Sequence, residues 1–200
     1  MKRLMAFLLM TLLLCAFTLG FAEEKASGIL VVVFSRSGEN YNVGVVEEGN
    51  TSKMAKIIAD QTGADLFAIE PVVPYPMDYD DMLPLATKEK EEDARPEYIG
   101  DVSHWDRYDT VFIGYPIWWG GIPNIVYTFI EAHDFAGKTV IPFNTHEGSG
   151  QAGTQADIES RLPGIAVLQG LAVRGATAQN DAEATEQAVA EWLKGLGLIQ

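Results

Sequence analysis

Three short segments hold the residue types that could do chemistry. The first is Ser35-Arg36-Ser37-Gly38, with Gly49-Asn50-Thr51-Ser52 following it before a helical stretch. Hydroxyls and glycines in front of a helix N-terminus make a phosphate site. The free backbone N–H groups and the helix dipole favour an anion, and Ser and Thr add hydrogen bonds without adding charge. No Gly-Lys-Ser/Thr follows, so this is not a Walker A loop, and Gly-x-Gly-x-x-Gly is absent. An ordinary strand-to-helix loop accounts for the same residues about as well. The second segment is Tyr115-Pro116-Ile117-Trp118-Trp119-Gly120-Gly121. Indoles offer broad apolar faces that can cover a flat aromatic ligand. Adjacent side chains do not readily point the same way. One indole is therefore expected to face a ligand and the other to pack or cap an edge; simple core packing accounts for one of them. The third segment is Asn144-Thr145-His146-Glu147-Gly148-Ser149-Gly150, whose glycines free N–H groups for the edge of a ring.

Other chemistries fit poorly. Ser149 is flanked by glycines, but Glu147 stands two residues before it, so Gly-x-Ser-x-Gly is absent. There are three histidines, His104, His133 and His146, and His146-Glu147 alone is not a zinc pattern. His133 reads as a structural residue on an amphipathic helix and His104 as a surface residue. The single cysteine, Cys15, lies in the apolar N-terminal run. Lys2 and Arg3 precede that run, Gly20-Phe21-Ala22 places small residues where a signal peptidase reads them, and Glu23-Glu24 follows. Residues 1–22 are therefore expected to be a signal peptide cleaved after Ala22, with an uncleaved anchor as the alternative. The expected location is outside the cytoplasm, with no membrane span left after cleavage. A mature chain without cysteine excludes disulfides, thiolate nucleophiles and Fe–S clusters. Redox chemistry would then need a bound cofactor.

The formal charge is −14. Cleavage would remove two basic residues and no acid, giving −16. Such a surface repels nucleic acid and anionic headgroups and suits a basic partner or a cation. Hydrophobic residues at 48% and charged residues at 21% describe an ordinary globular chain.

The elements that must position these segments follow from periodicity. Short apolar runs predict strands at 29–34, 66–70, 110–114, 138–143 and 167–173. Helical spacing predicts helices at 51–61, 83–93, from Pro123 to His133, at 154–161 and at 181–196. Asn50 or Thr51 is expected to cap the first helix, and Thr154 with Asp157 to cap the fourth. Residues 71–82, with prolines and acids, read as a loop. Strands alternating with helices predict one α/β domain over residues 27–198: a three-layer sandwich with a parallel sheet and helices on both faces. Ligands of such sheets sit beyond the carboxyl ends of the strands, where the strand order reverses. The three chemical segments follow strands one, three and four.

Those segments, in that order on those strands, resemble the flavodoxin-like family. Phe34-Ser-Arg-Ser-Gly38 with Asn50-Thr51 resembles its phosphate loop. Tyr115-Pro-Ile-Trp-Trp-Gly120 and Thr145-His-Glu-Gly-Ser-Gly150 resemble the loops that hold the isoalloxazine ring. The resemblance implies a five-stranded sheet of order 2-1-3-4-5 and non-covalently bound FMN. It implies phosphate contacts from Ser35, Arg36, Ser37, Gly38, Asn50 and Thr51. The ring would lie between Pro116, Ile117, Trp118, Trp119 and Gly120 on one side and Thr145, His146, Glu147, Gly148 and Ser149 on the other. The implied function is electron transfer to a redox partner protein or a small-molecule acceptor. Two alternatives are an FMN-dependent NAD(P)H:quinone-type oxidoreductase and a binding module that keeps only the fold. One departure stands out. Residues 39–49 interrupt the phosphate loop, and Tyr41, Val43, Val45 and Val46 suggest a small hairpin. Glu47 and Glu48 would repel phosphate, so the insert is expected to fold outward.

Overall fold

The computed structural model describes residues 28–200. The signal-peptide expectation lies outside the described residues. Strand β1 (Ile29–Val33) is an unbroken apolar run with Leu30 to Val33 buried, as a central parallel strand requires. It pairs in parallel with β4 (Asp65–Ala68) on one side and β7 (Thr110–Pro116) on the other. β7 pairs with β8 (Thr139–His146), and β8 with β10 (Leu171–Arg174), all parallel. In chain order these five strands are arranged 2-1-3-4-5.

Alternate side chains of β1 feed two cores. Leu30 and Val32, with Phe34 just past the strand, join Ile125, Phe129 and Ile130 of α3 (Asn124–Ala132) and Ile158 of α4 (Thr154–Arg161). Val31 and Val33 join Met54 and Ile58 of α1 (Asn50–Thr62) and Val189 and Leu193 of α6 (Ala182–Gly195). Helices on both faces of one sheet give the expected three layers.

Several boundaries differ from the sequence reading. The fifth strand is split into β9 (Ala166–Val167), beside the start of β8, and β10, beside its end. Gly170 lies between them, where a Cβ would stand 2.7 Å from the Pro142 carbonyl oxygen. Pro142 also brings no N–H to a ladder. Helix α2 (Tyr79–Glu91) starts before residue 83, because the Asp78 carboxylate accepts from the N–H groups of Asp80 and Asp81. A two-residue ribbon of β5 (Glu70–Pro71) and β6 (Tyr98–Ile99) and a short α5 (Gly175–Asn180) carry no periodicity that a sequence would show. The insert forms a hairpin of β2 (Gly38–Asn40) and β3 (Gly44–Val46). Among the described residues no helix is long and apolar enough to cross a membrane.

Candidate functional site

A cleft opens at the carboxyl ends of β1, β7 and β8. Its floor at one end is the start of α1. Gly49 caps this helix with no side-chain hydrogen bond, correcting the expectation of an Asn50 or Thr51 cap. The first N–H groups of a helix have no partner inside it. At α1 one of them is taken: Ser52 N–H donates to Ser35 Oγ at 3.1 Å. Gly49 is required by proximity, since a Cβ would lie 2.3 Å from Ser35 Oγ and 2.6 Å from the Arg36 carbonyl oxygen. The cap expected from Thr154 and Asp157 is also replaced. Gly153 holds that position, while Thr154 Oγ1 donates to Gln151 O at 2.6 Å and accepts from Tyr115 OH at 3.0 Å.

The cleft gathers nine of the sequence-derived residues: Arg36, Asn50, Pro116, Ile117, Trp118, Trp119, Thr145, His146 and Glu147. The others stand behind or beside it. Ser35 is engaged with Ser52, and Thr51 Oγ1 shares a 2.7 Å hydrogen bond with Thr145 Oγ1, both residues being buried. The Ser37 hydroxyl meets Met77 Sδ at 3.8 Å, and Gly38 packs on the Met77 backbone. Gly120, Gly148 and Ser149 are exposed at loop tips. Periodicity missed Asn40, Tyr41, Tyr79, Met82, Leu83, Ala86 and Gly175, which also line the cleft. Proximity of the hairpin and α2 to these loops is a tertiary fact. The expectation of a wholly outward insert is therefore corrected. Glu48 does turn away, to Lys56 at 2.7 Å, but Asn40 and Tyr41 form cleft wall.

The two tryptophans both line the cleft, in different surroundings. Trp118 packs edge-on against Phe34 and Tyr75, with ring centroids 5.4 and 5.1 Å away. Trp119 is 52% exposed in the left-handed region at φ 49°, and its carbonyl accepts from Lys90 Nζ at 2.6 Å. A non-glycine residue there carries strain of about 1 kcal/mol. On the third loop, His146 Nδ1 accepts from Gly148 N–H at 2.9 Å. Burial and Arg174 hold its pKa below 6.5 against the opposing pull of Glu147. The imidazole is therefore neutral at pH 7 with its proton on Nε2. Glu147 is fixed by Ala176 N–H at 2.7 Å. A Cβ on Gly175 would meet Asn50 Nδ2 at 2.5 Å and Glu147 Oε1 at 2.9 Å, so a glycine lets three segments converge.

Behind Trp118 lies a buried carboxyl. Tyr75 OH donates to Glu89 Oε2 at 3.0 Å. Burial raises the Glu89 pKa above 4.5, and the Tyr75 hydrogen bond only opposes this. The folded state thus prefers the protonated acid. Its stabilising effect is full below the unfolded pKa and is lost as pH rises through the higher folded value. Glu89→Gln is expected to match the wild type near pH 4 and to be the more stable near pH 8. Denaturant melts across that range check this; a difference that shrinks as pH rises contradicts it.

Asn50 Oδ1 and Arg36 Nε are buried in the cleft wall without a partner. Such atoms call for a ligand or water. Arg36 is the only permanent cation among the lining residues. N–H donors at a helix N-terminus suit a phosphate, an unpaired amide oxygen suits a hydroxyl, and Trp118 and Trp119 suit a flat ring. The family model described as Flavodoxin matches residues 28–195.

The chain belongs to the flavodoxin family. Flavodoxins carry FMN, and the residues present fit that group. The flavodoxin fold is shared with a Bacteroides eggerthii protein assigned as a flavoprotein, 31% identical, with a TM-score of 0.68 over 84% of this chain and 97% of that one. A Bacteroides uniformis protein assigned likewise is 31% identical, with a TM-score of 0.67 over 83% and 97%. A Lactobacillus acidophilus flavoprotein solved in complex with FMN is 20% identical, with a TM-score of 0.58 over 72% and 91%, a likeness of fold. No curated protein matches the chain in sequence.

Proposed function

We propose that this flavodoxin is an FMN-bound electron carrier working outside the cytoplasm, exchanging electrons with a redox partner protein or a small-molecule acceptor. The observation that carries the reading is the convergence of the α1 start, the tryptophan loop and the 145–147 loop on one cleft. FMN, when bound, supplies the electron chemistry. The chain's residues supply the rest. The N–H groups at the start of α1, with the Ser35 and Ser37 hydroxyls near them, would hold the phosphate. Asn50 Oδ1 would accept from a hydroxyl. Trp118 and Trp119 would cover the ring and exclude water from it. The neutral His146 would present an Nε2–H donor from the third loop, and Glu147, held by Ala176, keeps that loop in place.

None of this machinery needs a nucleophile or a general base. An absorbance spectrum of the purified protein tests the reading: flavin bands are expected, and their absence after incubation with FMN contradicts it. Slow oxidation of NAD(P)H in the same cuvette is expected of a carrier, whereas rapid turnover makes the protein a reductase. Export rests on the sequence of residues 1–22. The intact mass of protein recovered outside the cytoplasm should begin at Glu23; retention of the N-terminus in a membrane fraction means an anchor.

A further inference from the structure

The hairpin that interrupts the phosphate loop is fastened to the cleft, and one side chain does most of the fastening. Arg36 is buried. Its Nη1 donates to Pro76 O at 2.7 Å and to Met77 O at 3.2 Å, and its Nη2 donates to Glu39 O. Around it, Glu39 N–H donates to Met77 O at 2.7 Å, and Tyr79 N–H donates to Glu39 Oε2 at 3.2 Å. A Cβ on Gly38 would lie 2.5 Å from Met77 O, so the two backbones touch. The hairpin and the start of α2 are therefore tied into one piece. That piece presents two rings to the cleft. Tyr41 stacks on Tyr79 with centroids 5.9 Å apart and planes 29° from parallel. Tyr41 remains 57% exposed, an aromatic face held at a cleft with no further protein to cover it.

The resemblance made Arg36 a phosphate contact, yet a guanidinium recognises phosphate best through its fork. Here both terminal nitrogens donate to backbone carbonyls, which leaves only the buried Nε without a partner. The geometry points to a different assignment, which rests on the FMN reading above: Arg36 is a positioning residue, and Tyr41 with Tyr79 forms a second aromatic wall for the flavin ring, facing the same cleft as Trp118 and Trp119. The insert is then part of the cofactor site rather than an ornament beside it.

The test compares two flavins. FMN and riboflavin share the ring, and only FMN has the phosphate. Both are titrated, by flavin fluorescence, into the wild-type protein and into Arg36→Met, Tyr41→Ala and the double variant. Each single change should weaken both flavins by the same factor, about tenfold, and bound flavin should fluoresce more brightly. The double variant should be little worse than Arg36→Met, because both changes remove one wall. Arg36→Met weakening FMN while sparing riboflavin would overturn the positioning role and return Arg36 to the phosphate. Tyr41 lies at an exposed turn, so Tyr41→Ala keeps the test decisive even if Arg36→Met folds badly. Unchanged binding of both flavins by Tyr41→Ala would overturn the wall. A wild-type protein that binds neither flavin overturns the underlying FMN reading as well.

Discussion

Gly49→Ala should cost this protein its tight hold on FMN. The backbone at Gly49 has φ −66° and ψ 151°, a conformation alanine adopts freely, so strain is not the cause. The cause is space. The new methyl would sit 2.3 Å from Ser35 Oγ and 2.6 Å from Arg36 O, distances that real Cβ atoms do not show. Ser35 cannot simply rotate away without losing its hydrogen bond from Ser52 N–H. The strand-end loop and the helix start must separate, and the N–H groups then no longer converge. The expected loss is about 3 kcal/mol of binding, or roughly 100-fold or more. Calorimetric titration with FMN measures it. Thermal melting of the apo protein should fall only by several degrees, because the rest of α1 keeps its core contacts. An affinity within twofold of the wild type would put the phosphate elsewhere.

Gly114→Ala should be the most damaging single methyl in the sheet. Gly114 sits in the middle of β7, between Val33 of β1 and Phe143 of β8. A Cβ there would lie 2.1 Å from Phe143 Cζ, inside a fully buried ring. Phe143 packs in the core that α1 and α6 cover, so its ring has nowhere to retreat. Overpacking of this kind costs about 3 kcal/mol. Equilibrium denaturation should show the loss. Adding Phe143→Leu should recover part of it, leaving the pair less destabilised than the two single losses combined. Additive losses would mean that the methyl clashes with something other than this ring.

The strands and the two-faced burial were legible because they rest on local patterns, whereas the order 2-1-3-4-5 came from the resemblance to the flavodoxin-like family. Ile29–Val33 is apolar at every position, so it had to be buried on both sides. Trp118 and Trp119 stood out in a turn between Pro116 and Gly120, where bulky rings need a reason. What stayed hidden is tertiary. Tyr41 and Tyr79 are far apart in sequence, and nothing in either segment says that they stack. The resemblance made Arg36 a cation for phosphate, and two of its three carbonyl acceptors, on Pro76 and Met77, belong to residues that only folding brings near. The start of α2 was misjudged because Asp78 looked like one acid among several in a proline-rich loop, and its capping role depends on backbone geometry. The Gly49 cap was misread for the opposite reason. Asn50 and Thr51 are good capping types, but Thr51 is turned toward Thr145 and Asn50 toward Gly175.

If the start of α1 is a phosphate site within an FMN cleft, FMN and riboflavin must differ in affinity for the wild-type protein, and calorimetric titration of both at two salt concentrations measures the difference most directly. FMN should bind at least about 100-fold more tightly than riboflavin, the difference shrinking at high salt, as charge-assisted hydrogen bonds to a helix N-terminus require. Equal affinities for the two flavins, or no binding of either, would contradict the account.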